Sequence, residues 1–153
     1  MIQGKGAVLE ETSGSASIDG IGVWVPAGRR PPRGAAGEID WLLEGLLSRL
    51  ILSERFSGKA GEVALLAAGR RFPAPWVLVA GVGNEPVSPG NADRALKAFF
   101  AACASLGWKT VALELPDESW GERIERRLKK EAGRGFRAEW FQGRGFLPQS
   151  TLA

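Results

Sequence analysis

Three short stretches of this chain carry residue types that could hold an anion. The first is Gly81-Val82-Gly83-Asn84, which closes an apolar run starting at Trp76. Glycines in such a place can bring backbone N–H groups up to a phosphate, and a helix beginning soon afterwards would add the positive end of its dipole. Gly81, Gly83 and Asn84 are therefore candidate ligand residues. Their competing role is conformational, since glycines also let a chain leave a buried strand, and the stretch is not GxGxxG. The second is Ser57-Gly58-Lys59. It has the closing residues of a phosphate-binding loop, but Ser53 stands where that loop needs a glycine, and no strand runs directly into it. The third is the cluster Arg29, Arg30 and Arg33, which could contact nucleic acid or another anion, or stay solvated as an ordinary basic loop.

The absences narrow the chemistry further. The chain has no histidine, which removes the commonest general base, the Ser-His and Cys-His nucleophile systems and the commonest transition-metal ligand. Its one cysteine, Cys103, falls on an apolar helix face beside Phe99 and Phe100 and reads as a core residue. Asp117, Glu118 and Glu122 lie close together, but with no second ligand cluster they read as charges at a helix start. Neither a metal site nor a cofactor is expected, and no catalytic residue is assigned. The basic residues of the last helix, Arg123, Arg126, Arg127, Lys129 and Lys130, alternate with Glu122, Glu125 and Glu131, the pattern of a solvated face. Among the six tryptophans, Trp76, Trp108 and Trp140 lie on or beside strands and are expected in the core. Trp24 and Trp41 flank the arginine loop, as a stacking surface or as packing.

Strands and helices alternate around these stretches. A first strand is expected near 7–10, a second over 21–25, then a loop over 28–37. Asp40 is placed to cap a helix running to about 54, with Leu42, Leu43, Leu46, Leu47, Leu50 and Ile51 on one face. A short strand follows over 63–67. Trp76 to Val79 reads as a strand buried on both faces and ended by Gly81 and Gly83. Asn91 can cap a helix over 92–106 that stops at Gly107. Thr110 to Leu115 is a strand, Ser119 and Glu122 have capping-box spacing for the last helix, and 137–141 is the last strand, followed by a tail. The pattern predicts one α/β domain on a mainly parallel sheet.

Composition agrees with one globular domain. Of 153 residues, 44% are hydrophobic, enough for a sizeable core. The net charge of +3 is mild and is spread among carboxylates, so it permits nucleic-acid contact without requiring it. No apolar run approaches the length of a membrane helix, and the first residues lack the apolar core of a signal peptide. With a single cysteine, these features place the expectation in the cytoplasm.

The order of the pieces resembles the N-terminal domain of the leucyl (cytosol) aminopeptidases, peptidase family M17. The resemblance is carried by Ser48, Arg49 and Leu50, by Phe56, Gly58, Lys59, Gly61 and Glu62, and by Val77, Leu78, Val79, Gly81 and Gly83, and it extends over about 18–146. It implies a fold similar to macro domains, a three-layer arrangement with a mixed, mainly parallel sheet flanked by helices. It also implies that the peptidase chemistry lies elsewhere, because the family's metal site belongs to a larger C-terminal domain and no stretch here resembles its NTDAEGR signature. The loops at which macro domains take ADP-ribose would correspond here to Val25–Gly28 and Gly81–Asn84, which adds Gly28 to the candidate ligand residues. Some bacterial members use this domain in DNA binding.

The reading favoured by the sequence is a stand-alone, non-catalytic domain that acts by interaction, with itself, with a separately encoded aminopeptidase or with another protein. Two alternatives stand beside it. One is a nucleotide-like or ADP-ribose-like ligand bound in a crevice at the carboxyl ends of the strands. The other is nucleic acid bound through Arg29, Arg30 and Arg33.

Overall fold

The computed structural model describes residues 2–4, 7–11, 17–28, 32–69, 72–131 and 135–142. Seven strands form one sheet: β1 (Ile2–Gly4), β2 (Ala7–Glu11), β3 (Gly20–Pro26), β4 (Val63–Ala67), β5 (Trp76–Gly83), β6 (Thr110–Glu114) and β7 (Arg137–Phe141). Their spatial order is β1-β2-β7-β6-β3-β5-β4. The five inner strands β2, β7, β6, β3 and β5 run parallel. Antiparallel β1 and β4 close the two edges. Helices α1 (Gly34–Leu42) and α2 (Leu46–Leu52) cover one face, and α3 (Pro89–Leu106) and α4 (Glu118–Lys130) cover the other.

Strand alternation divides the core into two layers. Ile21, Val23, Val25, Val77 and Val79 point toward α1 and α2, where Ala35, Ile39, Leu47, Ile51 and Phe56 meet them. Trp24, Leu78, Ala80, Val111 and Leu113 point the other way, toward Leu96, Phe99, Phe100, Ile124 and Leu128. Two glycines in β3 shape this second layer. A Cβ on Gly20 would lie 2.2 Å from the Trp108 ring, and one on Gly22 would lie 2.4 Å from the Phe99 ring. Both rings thus occupy space that any other residue would fill.

The helix starts differ from the sequence expectations. The expected 40–54 helix is two helices with a break between them, where Glu44 (φ +59) and Gly45 (φ +81) adopt the left-handed conformation. Asp40 still caps a helix, but from inside α1. Its buried carboxylate accepts the Ser48 N–H (3.0 Å) and the Ser48 hydroxyl, serving the first turn of α2 across the break. The start of α3 is capped by Ser88, which accepts the Asn91 N–H at 3.1 Å, and Pro89 takes the first helical position. Asn91 instead accepts from the Arg94 guanidinium. Asp117, not Ser119, caps α4 by accepting the Ser119 N–H at 2.9 Å. Gly107 ends α3 at φ +72 as expected.

Strand β5 also extends further than its glycines suggest. It runs through Gly83, because a second backbone segment meets it there. The Gly81 N–H donates to the Glu62 carbonyl (2.7 Å), the Gly61 N–H donates to the Gly81 carbonyl (3.2 Å), and the Gly83 N–H donates to the Gly58 carbonyl (2.9 Å). Trp76 is 40% exposed rather than in the core, because β4 is an edge strand and leaves that corner of the sheet uncovered. Trp108 is buried and Trp140 half-buried. No helix among the described residues is long and apolar enough to cross a membrane.

Candidate functional site

The parallel strands all deliver their carboxyl ends to one side of the molecule. There the connections β3–α1, β5–α3 and β6–α4 separate and leave a cleft of about 740 Å³. Its walls are rich in proline, with Pro26, Pro86, Pro89 and Pro116 contributing one or more to each connection. Such walls have few conformations to lose when something binds.

An aromatic stack forms one wall of the cleft. The Phe99 ring, admitted by Gly22, lies 5.1 Å from the Trp24 ring, and Trp24 lies 5.0 Å from Trp120. Trp24 and Trp120 both line the cleft and are nearly fully buried. Trp24 is held at its polar end as well, its indole N–H donating to the Glu114 carbonyl at 2.8 Å.

Glu114, the last residue of β6, is the polar residue at the base of this cleft. Its carboxylate accepts the Trp24 and Ala35 amides, each at 3.4 Å. Ala35 lies in the first turn of α1, so Glu114 occupies the position at a helix N-terminus where an anion is favoured. Gly34 (φ +63) makes the approach possible, since a Cβ there would stand 3.3 Å from Glu114 Oε2. Burial raises the Glu114 pKa above its ordinary value, and the two amides only partly offset that. Glu85 and Asp117 add negative charge to the cleft, and Arg33 and Arg123 add positive charge. Arg123 is paired with Asp93 at 3.0 Å.

The Ser57–Glu62 loop does bind an anion, and the anion is its own. Glu62 Oε1 accepts the Ser57 N–H (2.9 Å), the Ser57 hydroxyl (2.8 Å), the Gly58 N–H (3.0 Å) and the Lys59 N–H (3.3 Å). Burial works to raise the Glu62 pKa, but these donors outweigh it and hold the carboxyl below its ordinary value. With its amides so occupied, the loop folds against β5. Gly58 (φ +85) passes close to Pro26, and Gly81 packs directly on Gly58 and Lys59, where a Cβ would meet the Lys59 carbonyl oxygen at 2.3 Å.

A family model for the N-terminal domain of the cytosol aminopeptidase family matches residues 21–136. The chain belongs to that family. The match is to the N-terminal domain alone. A comparison with curated proteins by sequence finds no match. Among solved structures, a mutant of tomato leucine aminopeptidase superposes with a TM-score of 0.61 at 19% identity, covering 99% of this chain and 34% of that one. The chain thus spans about a third of the length of that enzyme. The macrodomain of Thermus aquaticus DarG gives a TM-score of 0.68 at 15% identity, covering 88% of this chain and 97% of that one. The Trypanosoma brucei macrodomain in complex with ADP-ribose gives 0.59 at 17% identity, covering 87% and 62%. This aminopeptidase-family domain therefore has the macrodomain fold, as the family resemblance implied.

The FxGKxGE-to-GxG segment that carries the family resemblance lies together in space as the Glu62 loop seated on β5. The Gly81 and Gly83 amides are bonded to backbone carbonyls, and a Cβ on Gly83 would contact the Asn91 side chain at 2.7 Å. Asn84 is exposed. Gly28 (φ +75) turns in open space beyond β3. These four residues are brought to the same end of the sheet as the cleft, but the lining of the cleft comes from their neighbours Pro26, Val82 and Glu85. Arg33 reaches the cleft rim, whereas Arg29 and Arg30 lie outside the described residues.

Sequence reasoning missed Glu114 and Trp120. A carboxylate closing an otherwise apolar strand, one residue before Leu115-Pro116, was the available signal, because α/β sheets place ligands beyond the carboxyl ends of their strands. Trp120 carried none, since its place depends on the stack built through Gly22. No group of three or more His, Cys, Asp or Glu able to hold a metal occurs among the described residues.

Proposed function

We propose that this domain works by binding rather than by chemistry, as a non-catalytic module whose site is the cleft at the carboxyl ends of the parallel strands. The ligand class proposed is nucleotide-like, of the size of ADP-ribose. The observation that carries this reading is the cleft itself: an open volume of about 740 Å³, with proline-rich walls and an aromatic side, in the crevice position of an α/β sheet. The structurally similar Trypanosoma brucei macrodomain has been solved with ADP-ribose and with ADP, which supports the choice of probe. The cytoplasm is the compartment consistent with the family and with the ligand.

Calorimetric titration with ADP-ribose and ADP tests the reading. Saturable binding that is lost in Trp120→Ala and retained in Trp41→Ala supports it. Absence of binding by the folded protein to either nucleotide refutes it.

A second reading places a protein partner, a second copy or a separately encoded aminopeptidase, on the sheet edge. Val63 and Leu65 of the edge strand β4 and Trp76 of β5 beside it are 38%, 40% and 40% exposed, and the register puts them on the same face of the sheet. Edge strands with exposed apolar residues are sites of pairing between chains. Sedimentation equilibrium of the wild type and of Leu65→Lys decides it, since a monomer at every concentration removes self-association.

A further inference from the structure

We propose that Glu114 is the specificity-determining residue of the cleft, acting as a charge filter. It keeps phosphate away from the N-terminus of α1 and favours, at that point, an uncharged group that donates hydrogen bonds, such as a sugar hydroxyl pair or the exocyclic amino group of a base. The inference rests on the cleft being the ligand site.

The geometry supplies the reason. The first turn of α1 and the Trp24 amide together form the kind of donor set that ordinarily receives a ligand anion. Here both donors point at Glu114, whose carboxylate is fixed in the chain and lines the cleft. A ligand phosphate at this position would have to displace a carboxylate from its two donors and then remain beside it. Two like charges a few ångströms apart in a partly enclosed site repel strongly. A hydroxyl or a base amino group meets the opposite situation, because an ionised carboxylate has lone pairs to spare beyond the two amides. The amides are 3.4 Å away, at the long end for such bonds, which leaves the carboxylate able to accept from a ligand as well.

The other charged groups facing the cleft do not duplicate this role. Asp117 caps its own helix, Arg123 is paired with Asp93, Arg33 is on the rim, and Glu85 lies on the opposite connection. Of the charged residues described around the cleft, Glu114 alone bonds to both β3 and α1 from the end of β6.

The test is the ratio of affinities for ADP-ribose and adenosine, one bearing a pyrophosphate and the other uncharged, measured by calorimetry for the wild type and Glu114→Gln. The glutamine keeps the shape and removes the charge; its one carbonyl oxygen serves one of the two amides, and its NH2 stands where the other amide had its own oxygen. The ratio is expected to rise about tenfold or more in the variant. Acidifying the wild type toward the range in which Glu114 takes up a proton is expected to raise the ratio in the same direction. Glu114→Gln should show a smaller pH response, since Glu85, Asp117 and the two arginines are common to both. The acid titration also serves as the test if the variant does not fold. An unchanged ratio in Glu114→Gln, with both ligands binding, overturns the filter and leaves the cleft as the site. Failure of both ligands to bind either protein overturns the cleft reading and the filter with it.

Discussion

Replacing Gly81 by alanine separates the two roles a glycine at this position can have. If Gly81 serves a ligand, the variant folds normally and binds poorly. If it serves the fold, stability falls with or without ligand. A Cβ there would stand 2.3 Å from the Lys59 carbonyl oxygen and 2.5 Å from the Gly58 carbonyl carbon. These are backbone atoms, so no side-chain rotation relieves the clash and the Glu62 loop must move off β5. Overpacking of this kind costs about 1–3 kcal/mol. Moving the loop also weakens the three backbone hydrogen bonds at Gly81 and Gly83, each contributing about 1 kcal/mol. The sum is roughly 4 kcal/mol, which in a domain of this size lowers the melting temperature by about 8–16 °C. Thermal unfolding by circular dichroism, with urea unfolding for the free energy, is the assay. A Gly81→Ala protein that melts within about 2 °C of the wild type would refute the packing argument and return Gly81 to the list of ligand residues.

Two carboxylates should respond to pH with opposite signs. Glu62 has a lowered pKa when folded, so its stabilisation is present above the unfolded value and is lost as the pH falls through the folded one; urea unfolding from pH 7 down to pH 3 should show a loss that Glu62→Gln lacks. Glu114 has a raised pKa when folded, so it contributes stability below the unfolded value and loses it as the pH rises through the folded one. The stability of the wild type relative to Glu114→Gln should accordingly rise as the pH falls from 7 into the acid range, whatever the offset at pH 7; a difference that does not change with pH would contradict this. Asp40→Ala leaves the Ser48 N–H and hydroxyl without their acceptor and should cost about 1–2 kcal/mol by urea unfolding, the usual range for a lost helix cap. Trp41→Ala, at a side chain 79% exposed, should change stability by less than about 0.5 kcal/mol.

Most of the elements were legible in the sequence because they carry strong local signals. The 76–79 apolar run, the 92–106 amphipathic face and the Gly107 stop each follow from periodicity or turn chemistry within one window. What was not legible depends on partners distant in sequence. Asp40 looks like the cap of the helix it precedes, but its acceptor role is decided by where Ser48 returns after a left-handed break. Gly81 and Gly83 look like the end of a strand until the loop of Gly58 and Lys59 pairs with them. Trp76 looks like core until the sheet order makes its neighbour an edge. Residues 2–4 form a strand with no alternation of their own, carried by pairing with 7–9. The cleft was legible only as a location, the carboxyl ends of the strands. Its chemistry was not, because Glu114 becomes notable only when Trp24, some ninety positions earlier, and Ala35 are brought to it.

The two empty positions in β3 also act as a gauge for assembly. Gly20 and Gly22 are sockets two residues apart on one strand, and the rings that fill them, Trp108 and Phe99, are carried by α3 and the turn that ends it. Only one placement of α3 along the sheet, and one height above it, seats both rings at once. A methyl group on either glycine would push the helix outward, and at Gly22 it would part the Phe99 ring from Trp24, against which Trp120 packs. The width of the cleft is thus written into two residues that never border it, and a homologue with a bulkier residue at either place should be expected to hold a differently shaped pocket under an unchanged topology.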